Sequence, residues 1–248
     1  MAIKTFKRVE KKYIINSIQK EALETIINEH LEKDKYCREN PYYLVRNIYY
    51  DTVYRDLIHH SILKPYHKEK IRVRKYGSYD AEKNELFLEI KKKTGGVVSK
   101  RRVKLTQDEL EIFLNTRKYQ ENKPLLDLQV LKEFEYYLSI YKIQPTVFIS
   151  YKRSAYFGKE NKNFRITFDF DIQYNREKLD FSYHDDNVNL LEKDLCIMEI
   201  KIENSMPLWL AHALTKLKIY PNSFSKYGQE YKSLIKEEQS NVRLNITR

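Results

Sequence analysis

In several segments of this chain, apolar and charged residues alternate one by one. Residues 198–201 alternate Met and Ile with Glu and Lys, and residues 164–171 alternate Phe and Ile with Arg, Thr and Asp. Residues 71–74 and 86–91 follow the same rule. Successive side chains of a β-strand point to opposite faces, so this period of two gives each strand one apolar and one charged face. The chain must therefore fold around sheets with two chemically different sides.

The wider pattern predicts about eight strands, with helices inserted between and after them. The predicted strands are residues 4–15, 43–51, 68–76, 85–92, 97–105, 146–156, 163–174 and 194–203. The predicted helices cover residues 16–31, 52–63, 106–119, 125–141 and 229–238, and one more opens at Ser205 and Pro207. Because strands and helices do not alternate regularly, we expect neither a repeat protein nor a parallel doubly wound sheet.

Capping boxes support two of the helix starts. Asn16 is followed three residues later by Gln19, and Thr106 by Glu109, which is the spacing at which side chains satisfy the first amide groups of a helix. No linker interrupts the 248 residues, so we expect a single domain over residues 1–240 and a frayed tail at 241–248.

Composition restricts the partner and the compartment. The formal net charge of +11 indicates an anionic partner, and 21 Tyr with 11 Phe indicate a folded chain. Cys37 and Cys196 are too few for a disulfide scaffold. No apolar run approaches the roughly 20 residues that span a bilayer, and residues 1–12 contain no apolar signal-peptide core. We expect no membrane span and a cytoplasmic location.

The charged strand faces admit two interpretations. The simpler one is a half-exposed sheet whose charged side is solvated. The other follows if helices cover the apolar sides: a closed barrel of about eight strands then has a wet interior lined by Arg, Lys and Glu, which suits a multivalent anion such as polyphosphate. The acidic residues would pair with the cations or hold a divalent metal that bridges phosphates.

Ten short motifs, in order, resemble the VTC-type polyphosphate polymerase domain of the CYTH, or triphosphate tunnel metalloenzyme, superfamily. The resemblance covers about residues 6–235. The motifs are R-V-E-K-K-Y (8–13), N-I-Y-Y-D-T (47–52), K-I-R-V-R-K-Y-G (70–77), F-L-E-I-K (87–91), G-V-V-S-K-R-R-V (96–103), S-Y-K-R (150–153), R-I-T-F-D (165–169), I-M-E-I-K (197–201), M-P-L-W-L (206–210) and F-S-K-Y (224–227).

The resemblance implies an α+β fold, an eight-stranded antiparallel β-barrel or tunnel with helices packed on the outside. By motif position, phosphate is contacted by basic residues of the tunnel: Lys12, Arg72, Arg74, Lys91, Arg153, Arg165 and Lys226. Further substrate contacts fall on Lys100, Arg102, Lys201 and Ser225. Glu199 corresponds to the principal ligand of Mn²⁺ or Mg²⁺, and Glu10 matches a second acidic position.

The resemblance further implies a polymerase that transfers the γ-phosphate of ATP to a growing polyphosphate chain. Three alternatives stay open: an inorganic triphosphatase, in which water is the acceptor; a non-catalytic polyphosphate-binding module; and nucleic-acid binding through a basic surface. The last requires exterior cations with aromatic stacking platforms. Many Tyr residues fall in predicted strands or helix stripes instead, so we expect ATP and inorganic polyphosphate or triphosphate as partners and no nucleic acid.

Overall fold

The computed structural model describes residues 9–77, 85–203 and 205–246. The chain divides into two compact units. The first consists of Met1–Leu44, Tyr151–Gln173 and Asn189–Ser225, and the second of Val45–Ser150, Tyr174–Val188 and Lys226–Arg248. The motif residue Arg8 lies outside the described residues.

The described strands and helices follow the predicted order, with two extra short strands. The strands are β1 (Val9–Asn16), β2 (Leu31–Lys33), β3 (Tyr43–Asp51), β4 (His67–Tyr76), β5 (Leu86–Thr94), β6 (Val97–Leu105), β7 (Gln144–Gly158), β8 (Arg165–Asn175), β9 (Val188–Asn189) and β10 (Leu195–Ile202). The helices are α1 (Ser17–His30), α2 (Asp56–Ile62), α3 (Gln107–Thr116), α4 (Leu125–Ile140), α5 (Leu208–Lys216) and α6 (Lys226–Ile246).

The strands pair into antiparallel sheet. In the first unit the hydrogen-bonded order is β1-β10-β8-β7, with β2 beside β7; in the second it is β7-β3-β4-β5-β6, since the long strand β7 contributes residues to both units. Registers are antiparallel for β1 with β10, β10 with β8, β2 with β7, β3 with β4, β4 with β5, and β5 with β6.

Helices cover the apolar side of the strands in each unit. In the first unit, α1 and α5 pack on β1, β8 and β10; the buried residues include Tyr13, Leu23, Ile27, Ile166, Phe168, Met198, Ile200, Leu210 and Leu214. In the second unit, α3 and α4 pack on β3 to β6; the buried residues include Ile48, Ile71, Val73, Leu88, Ile90, Val103, Phe113, Leu131 and Phe134. Because the helices cover the apolar faces, the alternate, charged positions lie on the opposite face of the same strands.

The predicted helix starts are confirmed at both capping boxes. The side chain of Asn16 accepts the amide of Gln19 and that of Thr106 accepts the amide of Glu109, each with the reciprocal bond. The end of α6 was predicted wrongly: the helix begins at Lys226 and continues to Ile246, so helical backbone covers most of the predicted tail 241–248. In the part of the chain that the structure describes, no helix combines the length and apolar character needed to cross a membrane.

Phe134 of α4 offers a test of the core of the second unit. It is 0% exposed and its ring lies edge-on to Tyr50 at 5.4 Å. Phe134→Ala should lower the free energy of unfolding by about 3–5 kcal/mol, because the cavity adds to the lost burial. Leu126→Ala on the same helix, at a position 70% exposed, should change it by less than about 0.5 kcal/mol. Equal urea midpoints for the two variants would contradict this packing.

Candidate functional site

One face of strands β4, β5 and β6 is predominantly cationic; we call it the β4–β6 face. Its thirteen positions follow from the strand bounds and registers, and nine of them are Lys or Arg, while one is a carboxylate. The cations are Lys68, Lys70, Arg72, Arg74, Lys91, Lys93, Lys100, Arg102 and Lys104; the other positions are Glu89, Tyr76, Phe87 and Val98. Such an excess of one sign on adjacent strands favours binding of a multivalent anion.

Glu89 is the centre of this face. Its Oε2 accepts hydrogen bonds from Arg72 Nη2 at 2.6 Å and Nε at 2.8 Å, and its Oε1 lies 2.6 Å from Lys100 Nζ. Arg74 Nη1 is 3.9 Å from the same carboxylate. The side chain of Glu89 is 1% exposed. Burial raises its pKa, but Arg72, Arg74 and Lys100 outweigh burial and hold the pKa well below the ordinary value, so Glu89 is a permanent counter-ion.

The two arginines of β4 are oriented by neutral groups on the neighbouring strand. Arg72 Nη1 donates to the hydroxyl of Tyr49 at 3.0 Å, and Arg74 Nε donates to Asn47 Oδ1 at 2.7 Å. Asn47 in turn donates to the carbonyl of Ile149 at 2.9 Å, so its amide orientation is fixed. Guanidinium groups held in this way are pre-organised for bidentate contacts with phosphate oxygens.

Tyr49 has an unusual electrostatic environment. Burial raises the pKa of its hydroxyl, yet the positive charges of Arg72, Arg74 and Lys70 outweigh burial and bring the pKa down to about 8. The ring stacks on Tyr227 at 4.7 Å, and the hydroxyl of Tyr227 donates to Asp51 Oδ2 at 2.8 Å. Tyr49 is therefore held in place and sensitive to the charge of its surroundings.

The pKa of Lys100 is affected by the same cluster of cations. Burial lowers the pKa of its ammonium group, Glu89 opposes that effect, and the nearby guanidinium of Arg72 adds to it, which gives a pKa of about 8. Arg102, opposite Glu89 on the next strand, places its guanidinium 4.8 Å over the ring of Phe87. Lys91 lies directly opposite both Lys70 and Lys100.

The first unit carries a second charged face, formed by β1, β10 and β8; we call it the β10 face. Glu10 of β1 lies opposite Lys201 of β10, and Lys12 of β1 lies opposite Glu199 of β10. Acidic and basic side chains therefore alternate both along each strand and across the pair. Lys12 Nζ is 3.4 Å from Glu10 and 3.9 Å from Glu199, and Lys201 Nζ is 2.5 Å from Glu199. Burial raises the pKa of Glu199, but Lys201 and Lys12 outweigh it and keep the pKa below the ordinary value.

Two arginines extend the β10 face. Arg153 binds Asp169 with a bidentate ion pair, Nε to Oδ1 at 2.6 Å and Nη2 to Oδ2 at 2.7 Å. Arg165 lies opposite Lys201, with its Nη2 3.3 Å from the hydroxyl of Tyr43 and 3.6 Å from Asp34. The fully buried Asp169 thus holds the guanidinium of Arg153 in one orientation.

The segment before α6 lies against β1. The amide of Asn222 donates to the carbonyl of Lys12 at 2.7 Å, and Lys12 Nζ donates to the carbonyl of Phe224 at 3.2 Å. This places the first residue of the F-S-K-Y motif next to a predicted phosphate ligand. Ser225 is the last residue of the first unit and Lys226 begins α6 in the second.

A divalent metal fits the carboxylates of the β10 face only with help from a ligand. Glu10 and Glu199 both lie within 4 Å of Lys12 Nζ, which brings two hard oxygen donors to one place. Among the described residues no cluster of three His, Cys, Asp or Glu could hold a metal. Mg²⁺ and Mn²⁺ accept one or two carboxylates when phosphate and water oxygens complete the shell. Glu199 and Glu10 are thus compatible with a metal that arrives with phosphates.

The structure groups the predicted site residues by unit. The β4–β6 face brings together Arg72, Arg74, Lys91, Lys100 and Arg102, and the β10 face brings together Lys12, Arg153, Arg165, Lys201, Glu199 and Glu10. Asn47, Tyr49 and Asp169 were not predicted as site residues. Asp169 could have been found, because strand alternation puts it on the same face as Arg165.

Comparison with known proteins identifies the family and the fold class. A family model described as the VTC domain matches residues 7–235. The crystal structure of a candidate adenylate cyclase from Bacillus halodurans is similar over 88% of this chain and 93% of that one, at 13% identity and a TM-score of 0.52, a likeness that shows the fold alone and confirms the α+β fold class. The Mediator head module of Schizosaccharomyces pombe matches at 11% identity over 85% of this chain and 90% of that chain, but the TM-score of 0.43 is too low to establish a shared fold. No curated protein matches the sequence.

The pKa of Tyr49 can be measured directly. Tyrosinate absorbance of the protein should show a step with a midpoint near pH 8, which Tyr49→Phe removes. Tyr50→Phe, at the next position in β3, should leave the step in place, since burial raises the pKa of Tyr50. Identical titration curves for the wild type and Tyr49→Phe between pH ~7 and ~9 would contradict the electrostatic environment described for Arg72 and Arg74.

Glu89→Gln should destabilise the protein by about 3–5 kcal/mol at pH 7, because it leaves buried cations without their counter-ion. The pKa of Glu89 is lowered on folding, so its contribution is complete above the unfolded-state pKa of about 4.3 and declines as pH falls. In urea unfolding at pH ~3.5, the difference in the free energy of unfolding between wild type and Glu89→Gln should therefore be about 1 kcal/mol smaller than at pH 7. If this difference in the free energy of unfolding did not change with pH, Glu89 would not be the ionised centre of the face.

Proposed function

Because the chain belongs to the VTC domain family, a polyphosphate-related family of tunnel enzymes, we propose that it is a metal-dependent polyphosphate polymerase. In this proposal the protein transfers the γ-phosphate of ATP to the end of a growing polyphosphate chain. The observation that carries the proposal is the β4–β6 face, on which nine of thirteen positions are cationic and one buried carboxylate contacts three of the cations.

The charge of this face matches a linear chain of phosphates. Arg72 and Arg74 sit on one strand two positions apart, and Lys100 approaches the same carboxylate from another strand. A nucleoside triphosphate or polyphosphate carries several negative charges in a row and can contact all three cations at once, whereas a singly charged ligand cannot. The fixed guanidinium groups are suited to stabilise charge on a transferring phosphoryl group without reorganising.

The proposed step balances without a protein nucleophile. An oxygen of the terminal phosphate of the growing chain bonds to the γ-phosphorus, and the bond from that phosphorus to the β–γ bridging oxygen breaks. The electron pair of that bond leaves with ADP, and the chain gains one phosphate unit. The acceptor is an anion already, so no general base is required, and catalysis consists of positioning and charge neutralisation.

We assign phosphate contacts on the β10 face to Lys12, Arg153 and Arg165, and further contacts to Lys201, Ser225 and Lys226. Glu199, with Glu10, would hold Mn²⁺ or Mg²⁺. When bound, such an ion would neutralise part of the negative charge of the phosphates. In this assignment Asp169 serves to orient Arg153, which it binds at 2.6 and 2.7 Å.

The test is incubation of the purified protein with ATP and Mn²⁺, with detection of ADP and of long polyphosphate on a gel. Arg72→Gln should lower the rate by about a hundredfold, the usual effect of removing one pre-organised donor to a transition-state charge. Lys132→Gln, at an exposed position of α4, should leave the rate unchanged.

The products separate the remaining candidate activities. Orthophosphate release from tripolyphosphate without polymer would identify a triphosphatase that uses water as the acceptor. Tight binding of tripolyphosphate without turnover under either metal would identify a binding module. If the folded protein produced neither ADP nor polymer, the polymerase proposal would be refuted.

A further inference from the structure

Thr167 places a buried hydroxyl group on the β10 face. It belongs to β8, two positions from Arg165 and two from Asp169, and it lies directly opposite Glu199 of β10. Only 4% of Thr167 is exposed, and within the described part of the chain its Oγ1 has no hydrogen-bond partner. Buried polar groups are normally hydrogen-bonded, because an unpaired one keeps the full cost of leaving water. This hydroxyl therefore requires a partner other than the described residues.

The two carboxylates beside Thr167 are bonded to cations. Glu199 Oε1 is 2.5 Å from Lys201 Nζ. Asp169 accepts hydrogen bonds from Arg153 with both of its oxygens, at 2.6 and 2.7 Å. Although each carboxylate is a good acceptor, neither takes the hydroxyl of Thr167, so this donor can serve a ligand without breaking an existing bond.

Arg165 presents a second buried donor on the same strand. Its Nε makes no hydrogen bond to any residue that the structure describes. The rest of the guanidinium is held in place, with Nη2 3.3 Å from the hydroxyl of Tyr43 and the group 4.8 Å over the ring of Phe157. Because side chains two positions apart on a strand share a face, the Nε–H group and the hydroxyl of Thr167 lie on the same side of the sheet.

The chemistry of these two groups selects the class of ligand. An apolar ligand would leave both donors unpaired, and a cation would be repelled by Arg165. A phosphate group has several anionic acceptor oxygens, so it can accept from a guanidinium and a hydroxyl at once. The pair of donors therefore fits a phosphate group.

We propose that Thr167 is a further substrate-contacting residue of the β10 face, and that its hydroxyl donates a hydrogen bond to an oxygen of the phosphate group that Arg165 binds. This inference rests on the proposed function, in which Arg165 contacts phosphate, and adds a neutral donor to the basic residues. Charge attraction acts over a distance and in every direction. A hydroxyl on a β-branched side chain bonds only within a narrow range of distance and angle, so Thr167 fixes the position of the phosphate without adding charge.

The test is the variant Thr167→Val, which keeps the shape of the side chain and removes the hydroxyl. Its urea midpoint should equal or exceed that of the wild type, because the hydroxyl has no partner among the described residues. Its Kd for tripolyphosphate, measured without divalent metal, should rise about tenfold, the effect of losing one hydrogen bond to a charged group. The salt dependence of the Kd should keep its slope, whereas Arg165→Gln should reduce both the affinity and the slope.

Ser154 provides a matched control. Its Oγ is also buried without a partner in the described chain, and the residue is 5% exposed. It follows Arg153 on β7, however, so it points to the opposite face, where Tyr156 donates to Glu24 of α1 at 3.0 Å. Ser154→Ala should likewise leave the urea midpoint equal or higher, and it should leave the Kd for tripolyphosphate unchanged.

A second pair of variants isolates the hydroxyl from the packing of the methyl group. Thr167→Ser should bind tripolyphosphate within about threefold of the wild type, and Thr167→Ala should bind as weakly as Thr167→Val. An unchanged Kd in Thr167→Val would overturn the contact, as would an equal rise in Kd for Thr167→Val and Ser154→Ala. A rise in Kd that occurs only when Mn²⁺ is present would assign the hydroxyl to the metal and overturn the contact with phosphate.

Failure of the proposed function gives a different result. If Arg165→Gln bound tripolyphosphate as tightly as the wild type, the phosphate contacts assigned to the β10 face would be wrong, and the role of Thr167 would fall with them. If the wild type bound tripolyphosphate and made no polymer, the polymerase would be refuted. A loss of affinity confined to the variants without the Thr167 hydroxyl would then still support its contact with phosphate.

Discussion

A single buried carboxylate holds the β4–β6 face together. Without Glu89 of β5, the cations Arg72 and Arg74 of β4 and Lys100 of β6 would have no shared counter-ion, and mutual repulsion would separate their side chains. With Glu89 ionised, the cations converge on one point, and the neutral partners Tyr49 and Asn47 fix the remaining donors of the two guanidinium groups. The convergence leaves a net positive charge, which one carboxylate cannot cancel. The face is thus both ordered in the absence of ligand and complementary to an anion.

The same arrangement is used in both units, and it depends on where the helices pack. In the first unit α1 and α5 cover the apolar side of the strands, and in the second α3 and α4 do so. Burial of the apolar positions specifies the register, because a shift by one residue would turn every charged side chain into the helix interface. The hydrophobic core therefore sets which residues can meet on the charged faces, although it contributes no atom to them.

Strand alternation made the charged faces predictable, and the exceptions have physical reasons. The bounds of β3 and β6 were predicted correctly, as were both capping boxes, since these signals are local. Asn47 and Tyr49 were missed because β3 is buried on both faces over residues 45–51, so its sequence shows no charged alternation. The strands β2 and β9, with three and two residues, are too short to give a period. The end of α6 was missed because its last turns lack the apolar stripe by which a helix is identified.

A carboxylate among cations can be a counter-ion or a metal ligand, and the two charged faces differ in a way that separates these roles. Glu89 is 1% exposed and is held by Arg72 through two nitrogens, with Lys100 on its other oxygen. A metal would have to displace a guanidinium whose geometry is fixed by Tyr49, and would leave that charge buried. Glu199 is 12% exposed and contacts the flexible ammonium groups of Lys12 and Lys201, with a second carboxylate, Glu10, beside them. Ammonium groups on long side chains could turn from a carboxylate to a phosphate oxygen, and Glu199 and Glu10 would then be able to hold a divalent cation. This difference supports assigning metal binding to Glu199 and charge balance to Glu89.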